Sequence, residues 1–187
     1  MNSSKPKPMP NAAFKSMAWM FAASDLFRQT ERLLDDVPLR EGMTVVDYGC
    51  GPGRFTIPAA KRVGPQGKVY ALDIQPLAIK MVRGKASRRS LANVEPILLD
   101  SYDTGLPNSI ADVVLLIDVI HGIGDRPALL REIHRVLKPG GLLFVVPAHM
   151  NFDKAVAILG EGGLFRVTRR RVNALLLNAE APDHQFA

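Results

Sequence analysis

Residues Thr44 to Ala60, TVVDYGCGPGRFTIPAA, read in order as a strand, a glycine turn and the start of a helix. Val45 and Val46 are β-branched and follow the polar Arg40-Glu41-Gly42 step, as a buried parallel strand entering a sheet would. Gly49, Gly51 and Gly53 then stand at alternate positions. Glycine adopts positive φ and lets a backbone approach a ligand with no Cβ in the way. The spacing predicts a helix opening over Arg54 to Ala60, whose first-turn N–H groups lack helical partners and face the same crevice. Pro58 lies close enough to that start to be tolerated.

Two ligand classes use such a unit. The dinucleotide fingerprint G-x-G-x-x-G, counted from Gly49, needs a small residue where this chain has Arg54. The pattern present is Asp47-x-Gly49-x-Gly51-x-Gly53, with an acidic residue on the strand end. It resembles the first motif of the class I S-adenosylmethionine (SAM)-dependent methyltransferases. A turn rich in glycine for geometry alone is the alternative, and other parts of the chain must decide. An NAD(P) oxidoreductase is disfavoured by Arg54.

A chain of 187 residues suits one domain with a full core. Hydrophobic residues at 47% and charged ones at 22% are ordinary for a globular protein. No apolar run has the length of a membrane span, and the N-terminus lacks a signal-peptide core. The single Cys50 cannot make an internal disulfide or a zinc site, so no metal is expected and a reducing, cytoplasmic setting is the default. The net charge of +6 leaves an acidic partner open.

Residues 1–11 hold three prolines and two lysines without apolar period and are expected to be a disordered tail. Residues 12–187 are expected to form a single SAM-binding domain, with helices in 12–37 ahead of the first strand. One helix is read over Ala12 to Phe21 and another over Asp25 to Asp35, with Ser24 as its N-cap. Strands are read at Lys68–Leu72, Val94–Leu99, Val113–Ile117 and Leu142–Val146. Helices are read at Pro76–Ser87 and, capped by Asp125, Pro127–Leu137, the latter stopped by Lys138-Pro139-Gly140-Gly141. Alternating apolar strands and helices argue a parallel sheet covered on both faces. The tail differs: after a helix over Phe152–Leu159, two strand-like runs, Leu164–Val172 and Ala174–Ala179, follow with no helix between them. A hairpin there fits the methyltransferase ending, in which the last strand inserts antiparallel. The resemblance covers the chain after Val37 and implies a Rossmann-like, doubly wound, seven-stranded, mostly parallel sheet with a short N-terminal helical lid. The segment Leu129–Val146, with its Leu-Lys-Pro-Gly-Gly stop, is similar to small-molecule methyltransferases of the ubiquinone and menaquinone biosynthesis type.

Four strands end in a carboxylate: Asp47, Asp73, Asp100 and Asp118. Each alone is as readily a cap or turn residue as a ligand group. A crevice rimmed with carboxylates has the right sign for the sulfonium and ammonium of SAM and the wrong sign for a pyrophosphate. Asp73 lies about twenty residues past the glycine turn, where a carboxylate accepts ribose hydroxyls, and Ile74 beside it offers an adenine-packing face. The resemblance implies that Asp100 and Ser101 read the adenine amino group and that Asp118 lies near the amino-acid end of the cofactor. Asp47, Tyr48, Gly49, Cys50, Gly51 and Gly53 form the turn expected to meet SAM and its product S-adenosylhomocysteine. Within that set Asp47 orients the turn, and Cys50 reads as a small buried residue.

The acceptor is less legible. Displacement at a sulfonium methyl can rest largely on proximity and orientation, so no residue is assigned as catalytic. His121, three residues past Asp118, is the one general base the rim offers, and His149 is a weaker one. A loop histidine is more often a packing residue. After the fourth strand the chain reads Ile117-Asp118-Val119-Ile120-His121, without the Asn/Asp-Pro-Pro-aromatic motif of amino-methylating enzymes. One cysteine cannot supply the thiols of arsenite methyltransferases. The basic sets Lys80-Arg83-Lys85-Arg88-Arg89 and Arg169-Arg170-Arg171 lack interleaved aromatics. A solvated helix face and a charged edge strand explain them as well as nucleic acid does. The expected activity is methyl transfer from SAM to a small or medium organic acceptor. An RNA or protein methyltransferase, or a SAM-binding module without turnover, is the alternative. The oligomeric state is not readable.

Overall fold

The computed structural model describes residues 7–24 and 29–180. Among them the strands form one seven-stranded sheet in the order β3-β2-β1-β4-β5-β7-β6. The described residues divide into two compact units, one up to Ser101 and one from Tyr102.

In the first unit, α1 (Asn11–Ser24) and α2 (Gln29–Asp35) precede β1 (Thr44–Tyr48). α3 (Thr56–Val63), β2 (Lys68–Asp73), α4 (Pro76–Ser87) and β3 (Val94–Leu98) follow. The three strands are parallel, with Val45 opposite Val69 and Ala71 opposite Pro96. Val45, Val46, Val69, Ala71 and Leu72 are fully buried, as strands covered on both faces must be. β3 differs because it is the sheet edge: Leu98 is exposed. Pro96, which has no N–H to give a ladder, is tolerated at such an edge.

Some boundaries in this half differ from those read in the sequence. α1 runs on to Ser24, beyond the expected end at Phe21, and the expected cap by the Ser24 side chain lies outside what the structure describes. The second helix is seen as Gln29–Asp35, and its expected start, with Asp25, Leu26 and Phe27, falls outside the described residues. α3 begins at Thr56 rather than Arg54, because Gly51 to Phe55 are spent on turns, with the Gly53 N–H donating to the Cys50 carbonyl. Of the expected tail 1–11, residues 1–6 lie outside the described residues, and Asn11 already opens α1.

The second unit contains β4 (Ala111–Ile117), α5 (Arg126–Val136), β5 (Leu137–Val146), α6 (Phe152–Gly160), β6 (Phe165–Arg170) and β7 (Leu175–Ala179). Leu129, Leu130, Ile133 and Val136 recur at helical spacing and give α5 its buried face. Asp125 caps it through the Ala128 N–H. β5 starts at Leu137, earlier than Leu142, because Leu137 already pairs with Ala111. Lys138 to Gly141 then loop out before Leu142 pairs with Val113, and Lys138 Nζ holds Asp112 at 2.6 Å across that bulge. A Cβ on Gly141 would lie 2.8 Å from the Lys138 carbonyl oxygen, so the bulge needs glycine there. β7 lies antiparallel between β5 and β6, as the two back-to-back runs require. Its turn closes with the Arg171 N–H on the Ala174 carbonyl.

Candidate functional site

At the carboxyl ends of β1 and β2 two carboxylates flank the glycine turn. Asp47 is 2% exposed and accepts a hydrogen bond of 2.5 Å from the Thr56 hydroxyl at the start of α3. Burial lifts its carboxyl to about 7, against the pull of Thr56 and with the charge of Asp73 adding to the rise. Asp73 is less enclosed. Its Oδ2 accepts from the Gly51 N–H at 2.8 Å and its Oδ1 from the Gln75 N–H at 2.8 Å. Burial raises its carboxyl too, while these N–H groups lower it. Asp73 therefore closes a local turn and clamps the glycine turn to β2. The Ile74 N–H also pulls this carboxyl down, so Asp73 gathers backbone donors from both sides of the turn.

The glycines divide by role. At Gly51, with φ +52°, a Cβ would meet nothing within 4 Å, so its bare side faces open space. At Gly53 a Cβ would press on Val82 of α4 at 3.0 Å, so this glycine serves helix packing. Cys50 packs with Ala71, Ile79 and Val82, and burial pushes its thiol well up. That is the small buried residue expected from the sequence. Tyr48 is buried, Ile74 and Ser101 are half-buried, and Asp100 is exposed beyond the end of β3. The Leu99 N–H donates to the Asp73 carbonyl, which joins this end of β3 to Asp73.

Three partners were silent in the sequence. Thr56 meets Asp47, and Gln75 is 4% exposed, with its side-chain amide donating to the Met9 carbonyl at 2.7 Å. Arg54, whose identity excluded the dinucleotide spacing, donates to the Thr30 hydroxyl at 2.8 Å. The N-terminal segment is thus tied to the elements that carry the glycine turn. Thr56 and Gln75 share one available signal: each is a polar residue at the opening of the helix that follows a strand-end carboxylate.

In the second unit Asp118 directly follows β4, with His121 Nδ1 3.4 Å from its Oδ1 and His149 Nε2 3.6 Å from its Oδ2. The sequence offered both histidines singly; their convergence on one carboxylate is a product of the fold. Among the described residues no group of three His, Cys, Asp or Glu side chains is disposed to hold a metal ion, and no helix is long and apolar enough to cross a membrane.

A buried and a half-buried carboxylate, each raised by desolvation and repelling one another, are relieved by a cation. Beside them lies the open side of Gly51. That chemistry fits a ligand with positive charge and vicinal hydroxyls, as SAM has, and opposes a pyrophosphate.

Comparison with known proteins agrees. A family model described as a methyltransferase domain matches residues 39–158. Nocamycin O-methyltransferase of Saccharothrix syringae is 35% identical over 131 residues, covering 68% of this chain and 47% of that protein. Demethylmenaquinone methyltransferase of Geobacillus stearothermophilus is 35% identical over 104 residues, covering 56% and 44%. The chain thus spans about half the length of the curated relatives it matches. The crystal structure of a SAM-dependent methyltransferase from Aquifex aeolicus superposes with a TM-score of 0.78 at 26% identity, covering 92% of this chain and 98% of that one. The chain belongs to the SAM-dependent methyltransferase family.

Proposed function

We propose that this chain binds SAM through the glycine turn and the strand-end carboxylates of residues 44–101 and transfers its methyl group to a small or medium organic acceptor. The observation that carries the reading is the pair Asp47 and Asp73 about a glycine turn whose Gly51 faces open space. Asp73 takes the ribose hydroxyls. Asp47 orients the glycine turn from within through its bond with Thr56, and Ile74, Asp100 and Ser101 serve the adenine. Bound SAM supplies an activated methyl carbon with a neutral thioether as leaving group. The protein's part is to bind, orient and exclude water, which alone can lower a barrier by about 7–11 kcal/mol.

Residues 12–187 act as one SAM-binding domain in this reading, and the N-terminal helices act as a lid. The Gln75 amide on the Met9 carbonyl supports the lid, because Gln75 also donates its N–H to Asp73. A reducing, cytoplasmic setting accords with the single buried Cys50. Small-molecule acceptors are favoured by the names of the relatives, a nocamycin O-methyltransferase and demethylmenaquinone methyltransferases.

The test is incubation of the full chain with methyl-labelled SAM and three fractions of a cell extract: small molecules, RNA and protein. Label is expected in the small-molecule fraction. Label confined to RNA or protein would make the macromolecular reading correct, and SAM binding without label anywhere would make the chain a binding module.

A further inference from the structure

The helix α1 packs by one side only. Phe14 and Ala18, four residues apart and so on one side of the helix, are buried, and Met17 beside them is half-buried. Ala12, Ala13, Ser16, Trp19 and Met20 recur at the spacing of a second stripe on the opposite side, and all are exposed. Trp19 is 76% exposed and Met20 58%, and Trp19 is the only tryptophan of the chain. Single apolar residues in water are ordinary, whereas a continuous apolar stripe led by a tryptophan marks a surface that something covers. The helix is held at its start, with the Phe14 N–H on the Pro10 carbonyl at 3.0 Å and the Gln75 amide on the Met9 carbonyl at 2.7 Å. Its outer stripe is therefore presented by a fixed element.

Charge says what covers it. Residues 1–24 contain Lys5, Lys7 and Lys15 and neither aspartate nor glutamate. Lys7 and Lys15 are exposed, and among the described residues neither pairs with a carboxylate. An apolar stripe with cationic flanks is complementary to an anionic lipid surface, whose headgroups meet lysine and whose acyl boundary takes tryptophan and methionine. A second copy of the chain is not complementary, because two such faces brought together would set lysine against lysine. The 14 residues of α1 extend about 21 Å at 1.5 Å per residue, against a hydrocarbon core of about 30 Å. Such a helix lies along a bilayer and does not cross it.

We propose that α1 docks this chain on the surface of an anionic bilayer, with Trp19 and Met20 seated at the boundary of headgroups and acyl chains and Lys7 and Lys15 on the headgroups. Docking leaves the fold as it is, since the outer stripe supports no packing. It is independent of the methyl-transfer reading above.

The test titrates the full chain with vesicles of phosphatidylcholine alone and of phosphatidylcholine with phosphatidylglycerol. Sedimentation with the lipid and the emission of Trp19 are followed together. The anionic vesicles should bind with half-saturation on the order of 0.1–1 mM lipid, shift Trp19 emission to the blue and lose affinity as salt is added. Neutral vesicles should bind at least about tenfold more weakly. Trp19→Ser combined with Met20→Ser should weaken binding about tenfold or more, as should Lys7→Glu combined with Lys15→Glu. Val172→Ser, at an exposed apolar residue outside α1, should bind as wild type does. Melting temperatures should be unchanged throughout, because every substituted side chain is exposed. No binding to either vesicle, full binding by the Trp19→Ser, Met20→Ser variant, or emission that does not shift on binding would each overturn the proposal. So would a blue shift that grows with protein concentration in the absence of lipid, which would make the stripe a contact between copies.

Discussion

Asp47 shows how a single residue can be kept at the expense of stability. Its carboxyl, pushed up to about 7 in the folded protein by burial, holds near neutral pH a proton that the unfolded chain has already released. For an acid shifted upward, stability is fully present below about pH 4 and is lost as the pH rises toward 7. That rise corresponds to about 4 kcal/mol at most. Asp47→Asn keeps an acceptor for Thr56 and removes the charge. The variant should match wild type near pH 4.5 and exceed its melting temperature by roughly 5–10 °C at pH 8. A difference that does not grow with pH in thermal melts would contradict the assignment. Of the residues at this site, Asp47 and Asp73 were legible from strand ends and spacing. Thr56 and Gln75 were not, because a polar residue opening a helix is too common to single out.

At the scale of elements, α5 and the loop before β4 are joined by one carboxylate. Glu132 accepts from the N–H and hydroxyl of Thr104 at 2.8 and 2.6 Å, and from Arg135 at 2.7 Å on each oxygen. Burial pushes its carboxyl up, but Arg135 and Thr104 outweigh that and hold it below the usual range. For an acid shifted downward, the contribution is present above the unfolded value of about 4.5 and is lost as the pH falls through the folded one. Glu132→Gln should cost about 1–2 kcal/mol at pH 7 and progressively less below pH 4. An equal loss at pH 3.5 and pH 7 in denaturant titrations would remove the charge from the explanation. α4 and α5 were legible in the sequence from apolar periodicity, the Asp125 cap and the prolines that open them. The starts of α3 and β5 were not. Glycine-rich stretches carry no periodicity, and only strand pairing decides that Leu137 already belongs to β5.

For the whole molecule, the order of strands and helices and the antiparallel last strand could be read because each follows from a short-range pattern. Two apolar runs without an intervening helix can only form a hairpin. Long-range pairings were silent: His149 lies 31 positions past Asp118 in the chain, and nothing local marks it as the partner of His121. The central claim is that the glycine turn and Asp73 together hold SAM, and calorimetric titration of SAM, S-adenosylhomocysteine and NAD into wild type and Asp73→Ala tests it most directly. Because Asp73 also accepts the Gly51 and Gln75 N–H groups, the variant should lose about 1–2 kcal/mol of stability. It should in addition bind SAM some thirty- to hundredfold more weakly, from about 2–3 kcal/mol of lost interaction with the ribose. Wild type should bind SAM and S-adenosylhomocysteine and not NAD. NAD binding without SAM binding, or a destabilised Asp73→Ala that keeps full SAM affinity, would contradict the account.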